Sequence, residues 1–167
     1  MPQGPAARVT DTVMHPLPPI LSPGPGSPNT LIGFLPAWRG VMLAAVGALQ
    51  AAQTIATTAI QVAEAATLAA AGTPGAPAAL AAEQTLKASS LASMTSAITA
   101  AAAGADIHAC MTPLPVPPHG PGVVITGSTT VSINFLPASR QGDTILEAVA
   151  PAPNSISMGL PTVIIGG

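Results

Sequence analysis

The chain holds one cysteine and three histidines, and three of these four residues fall close together: His108, Cys110 and His119. The fourth, His15, stands far upstream in a proline-rich turn of its own. Three imidazoles and one thiolate make a complete tetrahedral set for zinc. It is the closed kind that structural sites use, with no position left for a substrate or an activated water. The competing reading is four unrelated surface residues, because His-x-Cys with a histidine nine residues on is not a specific finger pattern. A third arrangement makes Cys110 a nucleophile with His108 or His119 as its base. No supporting Asn, Asp or glycine-rich oxyanion loop accompanies it. A single cysteine excludes an internal disulfide and leaves the redox compartment open.

A metal would have something to add to this fold. The 167 residues include twenty prolines and sixteen glycines but only two phenylalanines, one tryptophan and no tyrosine. The core must therefore come from Ala, Val, Ile and Leu, whose smaller areas stabilise by about 25 cal/mol per Å² buried. Binding at a structural zinc site is also folding free energy, of order 10 kcal/mol in small modules. The length suits one domain, or one domain carrying an insertion. A net charge of −2 argues against nucleic acid, which requires a basic face. The stretch from Met1 to Arg8 has no apolar core of the kind an export signal carries, so none is expected.

The elements that would position these ligands come as a repeat. All three arginines fall in one tetrapeptide frame: Pro5-Ala-Ala-Arg8, Pro36-Ala-Trp-Arg39 and Pro137-Ala-Ser-Arg140. The first and last continue to Asp11 and Asp143; the second does not. Ten residues before the second and third frames a Gly-Ser pair opens a strand-like run, at Gly26 and Gly127, and a related run from Gly159 to Gly167 ends the chain. Alternate positions in these runs (Thr30, Ile32, Phe34; Val131, Ile133, Phe135; Val163, Ile165) read as one face of short half-buried strands. Three units too small to bury their own apolar faces are expected to close on a shared axis. The ligands do not repeat between units, so one shared zinc, tying units one and two together, is expected. Each arginine is expected to fasten its own turn, at two of the three frames at least.

The excess length lies between the second and third frames. From Val41 to about Gly72 the chain is alanine-rich, with Gln50, Gln53, Thr57, Gln61 and Glu64 forming one polar stripe at helical spacing. Gly72 to Gly75 breaks it, and Pro77 is placed to start a second helix that runs to Gly104. The expected result is an antiparallel helical hairpin, each helix roughly 40 Å long. Residues 41–63 carry no charge, so a membrane span has to be weighed. The recurring glutamines and the weak apolarity of alanine favour a soluble hairpin.

The three frames, the closing Gly-Leu-Pro-Thr-Val-Ile-Ile-Gly-Gly, and Asp106-Ile-His-Ala-Cys110 followed by Pro-Pro-His119-Gly-Pro-Gly together resemble the PAAR-repeat proteins. The resemblance covers residues 1–40 and 105–167. It implies a mainly β fold, a small pseudo-threefold cone of β-hairpins, with residues 41–104 as an inserted antiparallel α-helical hairpin. It implies one structural zinc per chain near the apex, held by His15, His108, Cys110 and His119. It further implies a non-enzymatic tip whose base caps the trimeric VgrG spike of a bacterial type VI secretion system. Such a tip sharpens the spike for membrane puncture and delivers effectors, sometimes with a bound effector, adaptor or chaperone. The protein would be made in the cytoplasm and exported on the spike, touching a target membrane transiently. The alternative function is a membrane-inserting effector in which the alanine-rich hairpin is active and the cone carries it. Two departures from the family pattern stand out. Gly40 is not followed by aspartate, and Phe34 and Phe135 stand where glycine is common.

Overall fold

The computed structural model describes residues 3–14, 20–110, 119–150 and 152–167. Its centre is a meeting of the three Pro-Ala-x-Arg frames, each of which pairs with both others. Ala6 lies opposite Arg140, Arg8 opposite Ala37, and Arg39 opposite Ala138. The amides close a ring: Ala7 donates to the carbonyl of Ser139, Ser139 to that of Trp38, and Trp38 to that of Ala7, all at 2.9–3.0 Å. A second ring runs from Val9 to Pro36, Gly40 to Pro137 and Gln141 to Pro5, at 2.8–2.9 Å. Proline has no amide to donate but keeps its carbonyl and a fixed φ, which suits an acceptor in this ring. Ala6, Ala37 and Ala138 are fully buried and share a small core with Ile32, Ile133 and Ile165. Larger residues at the three alanines would force the backbones apart.

On the side from which the chain enters each frame lies a strand pair. β2 (Leu31–Ile32) pairs with β3 (Leu35–Pro36), and β6 (Ser132–Ile133) with β7 (Leu136–Pro137). The third pair joins β1 (Gly4–Ala6) to β10 (Leu160–Ile165), with Ile165 opposite Gly4 and Ile164 opposite Pro5. It is the same unit with its tip open, its arms coming from opposite ends of the described chain. The three isoleucines are buried as the alternation predicts, but the phenylalanines are not on their face. Phe34 (φ +68°) and Phe135 (φ +65°) sit in the two turns, after Gly33 (φ +56°) and Asn134 (φ +52°). Two successive positive φ values give a turn whose twist matches that of paired strands, and this turn ends the alternation. A left-handed backbone costs a phenylalanine about 1–2 kcal/mol relative to glycine.

Beyond the frames the chain forms three further antiparallel pairs. Thr12 pairs with Ile20, β4 (Ile107–Cys110) with β5 (Gly120–Val124), and β8 (Thr144–Glu147) with β9 (Asn154–Ser155). These also join cyclically: Pro23 to His108, β5 to β8, and Ile156 to Val13. Trp38, Leu21, Val124, Ile145 and Ile156 fill the space they enclose.

An arginine–aspartate clasp locks every frame. In the first, the Arg8 amide donates to Asp11 Oδ2 at 2.8 Å while its guanidinium takes both carboxylate oxygens, at 3.2 and 2.8 Å. Arg140 and Asp143 make the same backbone bond at 2.8 Å and a side-chain bond at 3.0 Å. Arg39, whose frame has no aspartate following it in sequence, pairs with Asp106, with contacts at 2.8, 3.0 and 2.8 Å. The Asp106 amide returns to the Arg39 carbonyl at 3.1 Å, as Asp11 returns to Arg8 and Asp143 to Arg140. The helical insertion is thus spliced into the middle of one Arg-x-x-Asp turn, between Gly40 and Ala105. Burial pushes the Asp143 carboxyl above its ordinary range despite Arg140 beside it. Such pairs fix geometry more than they add net stability.

The insertion forms α1 (Leu43–Ala70) and α2 (Ala76–Ala102), each within one or two residues of the expected bounds. Pro77 lies in the first turn of α2, and Ala103 and Gly104 leave it with positive φ. α2 buries Ser90, Met94, Ile98 and Ala102, every fourth residue, whereas Leu49 is the buried residue of α1. Met94, Ile98 and Leu49 join Val123, Leu146 and Ala148 of the β body in one core. Lys87 bridges Glu64 and Glu83, at 2.7 and 2.6 Å, and ties the helices together near their far end. These carboxylates raise the Lys87 ammonium above its ordinary range. By length and composition α1 could cross a membrane, and 11% of its most apolar window is buried. The mainly β expectation describes the body outside the insertion; over the described residues helix outweighs strand, about 36% to about 28%.

The splice gives a direct test. Asp106→Ala leaves the Arg39 guanidinium buried without its carboxylate and should cost about 3–5 kcal/mol by denaturant unfolding. Asp11→Ala, beside the more exposed Arg8, should cost clearly less.

Candidate metal centre

β4, β5 and β8 lie side by side, and their register sets the site. His108 stands opposite Gly122 of β5, which in turn stands opposite Glu147 of β8. Residues in register across neighbouring strands share a face, so His108 and Glu147 flank a position with no side chain. A Cβ on Gly122 would lie 2.8 Å from Glu147 Cγ. Cys110, two residues beyond His108, points to the same face, and His119 enters immediately before β5.

Cys110, His119 and Glu147 are all buried, and each places a ligand atom within 4.8 Å of the others. Glu147 Oε2 lies 3.0 Å from His119 Nδ1 and accepts a hydrogen bond from Asn154 Nδ2 at 2.8 Å. Its other oxygen lies 3.7 Å from His108 Nε2. A fully buried carboxylate is costly unless paired or bound to a cation. A buried thiol, imidazole and carboxylate that converge in this way are donors a transition metal uses. The cluster could hold a metal ion.

Two of the four expected ligands, Cys110 and His119, therefore come together. His108 is fully buried beside the cluster, its Nε2 3.7 Å from Glu147 Oε1, outside the three groups whose ligand atoms lie within 4.8 Å of one another. His15 lies outside the described residues. Glu147 was not anticipated, although the repeat carries its signal. The fourth residue after each clasp aspartate is His15 after Asp11, Cys110 after Asp106 and Glu147 after Asp143. Residue types able to ligate a metal thus recur at one place in the repeat, once Asp106 is recognised as the partner of Arg39 and glutamate is admitted beside His and Cys.

The helical insertion leans on this site. Gln53 of α1 donates to the Glu147 carbonyl at 2.9 Å. Gly120 (φ +79°) takes a backbone conformation that favours glycine, and a Cβ there would meet the end of the Leu91 side chain of α2. No family model, curated protein or solved structure matches the chain.

Elemental analysis separates the two ligand sets. Cys110→Ser, His119→Ala and Glu147→Ala should each lose bound metal and lower Tm on the order of 10 °C. His108→Ala should keep the metal. A Glu147→Ala protein with one metal per chain would show that its carboxylate is not a ligand.

Proposed function

We propose that this protein is a non-catalytic, zinc-stabilised tip of the PAAR-repeat kind, a small cone that caps the trimeric VgrG spike of a type VI secretion system. The observation that carries the reading is the cyclic closure of the three frames at Ala7, Trp38 and Ser139. One chain with three near-equivalent units is the form needed to sit on the end of a homotrimer, each unit meeting one subunit. The body (1–40 and 105–167) is then the cone and 41–104 its insertion. Zinc suits the N, S and O donors at Cys110, His119 and Glu147, with His15 as fourth ligand by its place in the repeat. A closed ligand set would stiffen the end that leads in puncture. In this reading the protein is made in the cytoplasm and leaves it on the spike, with any effector, adaptor or chaperone bound non-covalently.

Mixing purified protein with a VgrG homotrimer tests this. Native mass spectrometry should give one chain and one zinc per trimer. Absence of a complex at micromolar concentrations, with metal-loaded protein, would contradict it.

A second reading has one specific observation behind it: α1 is uncharged over its first three-quarters, long enough to span, and little buried. In that reading the hairpin inserts into a bilayer and the cone carries it. Dye release from liposomes by the full-length protein would support insertion. Intact liposomes with no bound protein would remove it.

A further inference from the structure

We infer that Phe34 and Phe135 are paired anchors that hold this protein on the end of its homotrimeric partner. The inference rests on the spike-tip reading and names the face and the residues that would do the holding. They are the chain's two phenylalanines, and the residues are 95% and 94% exposed. Folding of this chain alone disfavours each through its positive φ and gains no burial from a ring that stays in water. Glycine would suit both turns better. The same costly choice is made at equivalent tips of two units, and the third unit has no closed tip.

The two tips are held in fixed relation. Ser27 Oγ donates to Asn134 Oδ1 at 2.6 Å, and Asn134 Nδ2 donates to Asn29 Oδ1 at 2.8 Å, joining one turn to the run that leads into the other. Such preorganisation lowers the cost of docking. Along each unit the tip comes before the frame ring and the ligand-bearing strand after it, so the tips belong to the end away from the metal. Of the residues opposite the three frame prolines, Leu31 (61% exposed) and Ile164 (55%) are apolar and Ser132 is polar. A cleft of about 220 Å³ beside Phe135, lined in part by Val41, Met42 and Ile125, offers room for a partner side chain.

The occupant this face fits is the end of a homotrimer with an apolar socket in each subunit. Two sockets receive a phenylalanine, and the third faces the open β1–β10 pair. An uncharged face of this kind gives nucleic acid nothing to hold. Buried aromatic anchors of this sort commonly carry much of an interface's affinity.

The test uses Phe34→Gly and Phe135→Gly, singly and together, in the full-length metal-loaded protein. Binding to the cognate VgrG homotrimer and Tm are measured on each. Each single variant should bind roughly tenfold more weakly and the double variant on the order of a hundredfold, while Tm stays level or rises as the turns relax. A double variant that binds like the parent overturns the inference and leaves the spike-tip reading standing. A parent that fails to bind the trimer overturns both. Loss of Tm in step with binding assigns the rings to the fold, and a parent that dimerises through the two phenylalanines assigns the face to self-association; either outcome also overturns the inference.

Discussion

Three amide–carbonyl hydrogen bonds, passed from Ala7 to Ser139 to Trp38 and back to Ala7, constrain everything else in this protein. A ring of this kind closes only if three stretches of backbone approach one axis together. That explains a fully buried alanine in each frame and the arginine–aspartate clasp that locks each turn just outside the ring. Buried clasps add little net stability but penalise every other arrangement of the chain. They are a device for specificity in a body with few aromatic residues to define its core.

The clasps also set the register of the segments that carry the ligands. Four residues past each aspartate the chain reaches a metal-ligating type: histidine, cysteine or glutamate. Of these, Cys110 and Glu147 lie together with His119 in one buried cluster. The pocket needs Gly122 between His108 and Glu147, and Gly120 takes a backbone conformation that favours glycine beside Leu91 of the second helix. The insertion is not merely tethered between Gly40 and Ala105. Through Gln53 and the shared core with Val123, Leu146 and Ala148 it packs against the strands that bear the ligands.

Much of this is legible in the sequence. The frames, the strand runs before them and both helices can be read from spacing, glycine and proline alone, because each signal is local. What stays hidden is non-local or depends on residue type. Asp106 cannot be matched to Arg39 by spacing, because the splice separates two halves of a turn that is four residues long elsewhere. Glu147 escapes a pattern restricted to imidazole and thiol, although its place in the repeat marks it as clearly as Cys110. Period-two alternation puts Phe34 and Phe135 on the wrong face because it presumes that the strand continues. A positive-φ turn stops it one residue past each isoleucine.

The most direct measurement on the central claim, that cyclic closure gathers ligands of different type from successive units around one ion, is zinc-edge X-ray absorption on purified protein. The account predicts a single sulfur scatterer at about 2.3 Å and three nitrogen or oxygen scatterers at about 2.0–2.1 Å. A shell without sulfur, or six-coordinate zinc with oxygen ligands alone, would contradict it.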